Sequence, residues 1–136
     1  MFYTINSNNS STELNGNIIK VSDTMNWKDC TITCLTGSWY DGNTAKYRYT
    51  NEYLEIQISQ PATWVTNATV EEGGTIMQVS GLDVAIPTVA DSMCWNDSNN
   101  SFYPISLRTD GIITLGGLSY AGNWFSLRGV RFIMFY

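Results

Sequence analysis

Alternation with a period of two residues dominates the apolar pattern of this chain. In residues 44–50, Ala45, Tyr47 and Tyr49 fall on one side, and Lys46, Arg48 and Thr50 on the other. Residues 53–59 repeat the arrangement, with Leu54, Ile56 and Ile58 opposite Glu55, Gln57 and Ser59. Successive side chains of a strand point to opposite faces, so each segment predicts a strand with one buried side. Glu55 is thereby expected on a polar, solvated face. Thr50-Asn51-Glu52 supplies a turn that joins the two into a hairpin, and Pro61 ends it.

Weaker signals continue the series. Residues 17–22 read as a short strand, and Glu71-Glu72-Gly73-Gly74 as a turn leading into a strand over residues 75–80. Pro87 and Pro104 bracket what reads as a long polar excursion over residues 91–101. Thr109-Asp110-Gly111 is a tight-turn signal between strands over residues 103–108 and 111–115. Gly116, Gly117 and Gly122 set a loop around Tyr120 and Trp124. A strand over residues 130–136 closes the chain. No stretch of helical length carries apolar residues at i, i+3, i+4 and i+7. The expected fold is therefore all-β, an antiparallel β-sandwich or jelly-roll-like domain.

At 136 residues the chain suits one domain. Residues 1–25, with the run Asn6-Ser7-Asn8-Asn9-Ser10-Ser11, read as a flexible or strand-forming lead-in, and residues 26–136 as the β-sandwich. On the closing strand Val130, Phe132, Met134 and Tyr136 line one face, yet Ile133 and Phe135 make the other nearly as apolar. A face left to water should be polar, so both are expected to be covered, the second by a neighbouring subunit or a loop.

Composition narrows the chemistry. Charged residues are 14% of the chain and the net charge is −5, so the polar surface is mostly Asn, Ser and Thr. Such a surface suits neutral hydroxylated partners and disfavours nucleic acid. No apolar run is long enough for a transmembrane helix, and Met1-Phe2-Tyr3-Thr4 does not open a signal peptide. The chain can equally be a fragment with its own start Met. Three cysteines are an odd count. Cys30 and Cys34 would share a strand face about 13 Å apart, too far for a disulfide, so reduced, buried thiols are expected.

With no histidine, the commonest general base is missing. A carboxylate pair drawn from Asp41, Glu55, Glu71, Asp97 and Asp110 is the remaining catalytic option. Turn and strand-face roles account for most of these, so the chain reads as a binder rather than an enzyme. No cofactor is implied, and Asp97-Ser98-Asn99 lacks the glycine and distal glutamate of a calcium loop.

Five Trp and eight Tyr supply platforms for the C–H faces of sugars, though most aromatics in a small β protein are core. Aromatics in predicted loops are the better candidates. Trp39, Tyr40, Asp41 and Asn43 set two rings beside an acid and an amide; the alternative is a tryptophan plug under a sheet end. Trp95, Asn96 and Asp97 set one ring beside polar groups, with a solvated tip and an inward Trp95 as the alternative.

The order of motifs carries a resemblance. Trp39-Tyr40, Asp41-Gly42-Asn43, Lys46-Tyr47-Arg48-Tyr49 and Tyr53-Leu54-Glu55-Ile56 follow one another. Gly73-Gly74-Thr75-Ile76 and Ala85-Ile86-Pro87 come next, then residues 105–113, and a glycine loop with Trp124 before the final aromatic strand. This order resembles the C-terminal head domains of tailed-bacteriophage tail fibres and baseplate proteins, over roughly residues 25–136. It departs from them after Pro87, where a second proline is missing, and over residues 91–101. The resemblance implies a homotrimeric β-sandwich at the tip of a virion, beside other tail or baseplate proteins, and its spacing implies a structural Trp124. Its implied task is recognition of a host cell-wall or surface saccharide, without insertion into a membrane. A trimerisation or capping module without receptor affinity, and a carbohydrate-binding module unrelated to phage, are the competing readings.

Overall fold

The hairpin written into residues 44–59 is the seed of the fold. Thr44–Tyr49 and Tyr53–Ser59 pair antiparallel, with Tyr47 opposite Ile56 and Tyr49 opposite Leu54. Leu54, Ile56 and Ile58 are wholly buried, each contributing about 1.5–3 kcal/mol of apolar burial. The computed structural model describes residues 26–59 and 62–136, together with the backbone of three short strands before them. Those three, β1 (Ile5–Asn6), β2 (Ser11–Leu14) and β3 (Asn17–Lys20), pair with one another in the order β1-β2-β3. The rest of the lead-in, the end of the strand expected over 17–22, and Pro61 lie outside the described residues.

Eleven further strands form one curled antiparallel sheet. They are β4 (Lys28–Cys34), β5 (Ser38–Trp39), β6 (Thr44–Tyr49), β7 (Tyr53–Ser59), β8 (Thr63–Val65), β9 (Thr75–Ser80), β10 (Ala90–Asn96), β11 (Ser101–Leu107), β12 (Ile112–Leu115), β13 (Trp124–Ser126) and β14 (Arg131–Phe135). Their order is β14-β7-β6-β4-β9-β12-β11-β10-β13-β8-β5. Among the described residues there is no helix. The fold is all-β, antiparallel and sandwich-like, as the alternation predicts.

Strand β4 turns the corner. Lys28–Cys30 pair with β6, whereas Thr31–Cys34 pair with β9, so one strand passes from one half of the sheet to the other. A strand that changes partners midway folds a sheet back on itself. The inner faces meet in one core, with Ile56, Ile58, Phe132 and Met134 from one half against Ile105, Leu107, Ile113 and Phe125 from the other.

The expected polar excursion over 91–101 is instead the longest hairpin of the fold. β10 and β11 pair along their whole length, from Ala90 opposite Leu107 to Asn96 opposite Ser101. Pro104 interrupts less than its residue type suggests. Its carbonyl accepts from Gly116 N at 2.7 Å, so its missing N–H falls on the β12 side, at the last rung. The Asp110 turn forms as expected, with Gly111 at φ +85 and Asp110 Oδ1 accepting from Ile112 N.

Glu55 corrects the polar-face reading. It is buried; Oε1 accepts from Arg48 Nε at 2.8 Å, and Oε2 forms an ion pair with Arg131 Nε at 3.0 Å. A solvated role was inferred from alternation alone; two arginines from adjacent strands close over it instead. The other face of β14 is exposed on this chain, with Phe135 67% accessible.

Gly37 gives a test of backbone geometry. It adopts φ +74, and an added Cβ would lie 2.2 Å from Val65 O and 2.7 Å from Trp64 Nε1. Gly42 has nearly the same φ, +76, with nothing within 4 Å. Gly37→Ala is expected to cost about 2–4 kcal/mol and Gly42→Ala only about 1 kcal/mol, read from urea midpoints.

Candidate functional site

The outer face of β11-β10-β13-β8-β5 is where the chain leaves large aromatics in solvent. Register places them. Trp95 stands opposite Phe102 on β11 and opposite Ser126 on β13, so all three share a face. Phe125 and Asn96, one residue along, point inward and are buried. Trp124 therefore points outward again, as the diagonal neighbour of Trp95 at a Cα separation of about 7–8 Å. Tyr40, just past β5, donates its N–H to Thr63 O at 2.8 Å and lies on the same face.

The rings form two contacts along this row. Trp95 and Phe102 meet edge to face with centroids 4.8 Å apart. Tyr40 and Trp124 meet at 4.6 Å with an interplanar angle of 53°. Phe102 is 64% exposed, Tyr40 68% and Trp124 39%. The result is a ledge running Phe102–Trp95–Trp124–Tyr40 across the sheet.

Polar contacts fix that ledge from below. Trp124 O accepts from Asp97 N at 2.8 Å, and Trp124 N donates to Ser98 Oγ at 2.9 Å. The turn carrying those groups is held by Asn96, whose Oδ1 accepts from Ser98 N and Asn99 N. Asn100 closes it at φ 55, a conformation Asn tolerates. On the other side Asp41 spans Thr63, with Oδ1 accepting the backbone N–H at 2.8 Å and Oδ2 the hydroxyl at 3.0 Å. The middle of the ledge and its Tyr40 end are thus tied to the backbone beneath them.

The residues nominated from sequence separate into two groups. Tyr40 and Trp95 stand on the outer face, and Asp97 is exposed beside Trp124. Trp39 is a half-buried plug whose Nε1 donates to Ile32 O at 3.1 Å. Asn96 is wholly buried, which leaves none of its atoms open to a ligand. Asp41 is exposed but committed to Thr63. Asn43 is half-buried just before β6, on the far side of the Gly42 turn. Phe102 and Trp124 were missed. Finding the 90–107 hairpin would have set Phe102 beside Trp95, whereas for Trp124 the spacing of the resemblance implied a structural role instead.

Beside the ledge lies a cleft of about 440 Å³. It opens because β13 pairs with β10 only at Trp95 and Asn96, after which the chain leaves through Leu127 towards β14. Met93, Trp95 and Phe102 line one side, Arg128 and Arg131 the other.

Nucleophilic chemistry finds little support here. Burial pushes the Cys30 and Cys34 thiols up to about 11 and that of Cys94 up to about 12, so all three stay protonated at neutral pH. All three are free. Among the described residues, no group of His, Cys, Asp or Glu is placed to hold a metal ion. No helix among them is long and apolar enough to cross a membrane.

Fold and face together define an all-β, antiparallel, sandwich-like domain with an aromatic ledge on its outer surface. No protein-family model matches the chain, and no curated protein matches it either.

Proposed function

We propose that this domain binds a saccharide on the Phe102–Trp95–Trp124–Tyr40 ledge, as the receptor-recognising head of a phage adhesion device. The observation that carries the binding reading is the ledge itself. Four aromatic side chains lie in one row on the outer face of the sheet, with Phe102, Trp124 and Tyr40 exposed and Trp95 half-buried among them. Hydrogen bonds fix the backbone beside them. Rings so placed suit the C–H faces of successive sugar units, with Asp97 and neighbouring amides at hand for hydroxyls. Binding is favoured over catalysis because three of the five nominated carboxylates have other work. Asp41 holds Thr63, Glu55 lies between two arginines, and Asp110 shapes its turn and pairs with Arg108.

The phage setting rests on the motif order from Trp39 to Trp124. In that setting the domain sits at the tail tip of the virion beside other tail or baseplate proteins. The exposed apolar face of β14, with Ile133 and Phe135, supports self-association into the homotrimer that setting implies. The same face also suits a purely structural trimerisation module, which is the second reading.

Two measurements test this. Sedimentation of the purified domain at micromolar concentration is expected to give three times the chain mass; a monomer would remove the trimer and the phage-tip reading with it. Binding to host-wall polysaccharide and to a glycan array is expected to be saturable. A trimer without saturable binding would leave the structural module as the function.

A further inference from the structure

The cleft beside the ledge differs from the rest of the surface in charge. The chain carries net charge −5, and most of its cations are already neutralised by carboxylates. Lys28 pairs with Asp83, Arg108 with Asp110, and Arg48 and Arg131 share Glu55. Among the described residues, Lys46 and Arg128 alone have no ion-pair partner, and only Arg128 of the two lines a cleft containing aromatic rings. No carboxylate is among the described residues lining it. Arg131, on the same wall, shares one carboxylate with Arg48 and so leaves part of its positive charge uncompensated.

The backbone under Arg128 is rigid. Val130 N donates to Leu127 O at 3.0 Å, closing a turn with Gly129 at φ +78. Leu127 N donates to Ala62 O at 2.9 Å, and Gly129 N to Ile58 O at 2.8 Å. The guanidinium thus extends from a fixed point of the backbone while remaining exposed, so only the side chain itself has to order on binding. Register adds a further donor. Asp97 N bonds Trp124 O, so alternate residues of β10 face β13, and past the end of β13 the N–H of Met93 faces the cleft.

We infer that this cleft is an anion subsite that selects acidic saccharides. It takes the carboxylate or phosphodiester of a charged sugar at Arg128, while the ring of that sugar rests on Trp95 and Phe102. The inference rests on the saccharide reading of the ledge and names the class of sugar it takes. An Arg–anion contact is charge-assisted and directional, which makes it a strong discriminator against a neutral isostere.

The test is calorimetric titration of the purified domain with three oligosaccharides of matched length: neutral, hexuronate-containing and glycerol-phosphate-bearing. At least one acidic member is expected to bind about tenfold or more tighter than the neutral one, and to weaken as salt rises. Which acidic member binds identifies the source of the anion. Arg128→Gln is expected to reduce the acidic-to-neutral preference about tenfold, and Arg128→Lys to keep part of it. Arg128 makes no ion pair, so a melting curve matching the parent's checks that the fold is intact. Equal affinity for neutral and acidic members, or a preference that survives Arg128→Gln, would overturn the subsite and leave the ledge standing. Absence of binding to all three, and to the wider array, would overturn both.

Discussion

Replacing Trp124 with alanine is expected to abolish measurable saccharide binding while the domain stays folded. The ring lies in the middle of the ledge, diagonal to Trp95 and in contact with Tyr40 at 4.6 Å. Its removal breaks the row into separated rings and leaves Tyr40 without the surface that orients it. Central aromatic anchors typically cost about 2 kcal/mol or more when truncated, a loss of about thirtyfold or more in affinity. Stability should change little, because the contacts made by β13 through Trp124 are main-chain ones, to Asp97 N and Ser98 Oγ, and alanine keeps them. Tyr40→Ala, at the end of the row, should cost less than Trp124→Ala. Titration against the best-binding glycan, with a thermal melt alongside, decides the matter. Unchanged affinity in Trp124→Ala would remove the ledge as the binding surface, and a collapsed melt would make Trp124 a structural residue.

The elements legible from sequence are those in which local rules agree. Residues 44–59 alternate cleanly and meet at a short turn, so both strands and their inward faces were predictable. The Asp110 turn carries its own chemistry, with an Asx side chain and a glycine at positive φ. The β10–β11 hairpin was hidden because its inward positions are not all apolar. Ser92 and Asn96 face in with Ala90 and Cys94, and Asn96 is there to build the turn that follows. Pro104 looked like a boundary, yet its missing donor falls where β12 ends. Such features depend on which strand lies alongside, and alternation within one segment does not report that.

The site was legible as two places and became one through topology. The segments around Tyr40 and Trp95 were separate candidates in sequence, each with a single ring facing solvent. β8 and β13 lie between β5 and β10 and bring them onto one face, while Trp124 fills the gap. Within each segment the local pattern could not tell the plug from the platform. Trp39 and Tyr40 are adjacent, and strand alternation requires that one face inward. The indole takes the interior because its N–H finds Ile32 O there, leaving the phenol in solvent. Glu55 shows the same limit on the other half of the sheet, since its burial depends on Arg131, which arrives with the last strand.

That dependence on β8 sets the largest expected effect on stability. Trp64 is wholly buried at the middle of this three-residue strand, between β13 and β5. Its ring packs on Phe125 at 5.1 Å, and its Nε1 donates to Thr36 O at 2.8 Å. Trp64→Ala therefore empties a large volume and leaves that carbonyl without its donor. The expected loss is about 3–5 kcal/mol, a large part of the stability of a domain this size. In thermal unfolding it should appear as a drop in Tm of about 10 °C or more. Trp64→Phe, which refills much of the space but not the hydrogen bond, should recover a substantial part of it. Because Thr63 on the same strand is what Asp41 grips, the ledge should loosen along with β8. Saccharide affinity in Trp64→Ala should then fall in step with the fraction unfolded, whereas in Trp124→Ala it falls with the fold intact. A Trp64→Ala protein that melts like the parent would mean that β8 is not the element holding this end of the sheet together.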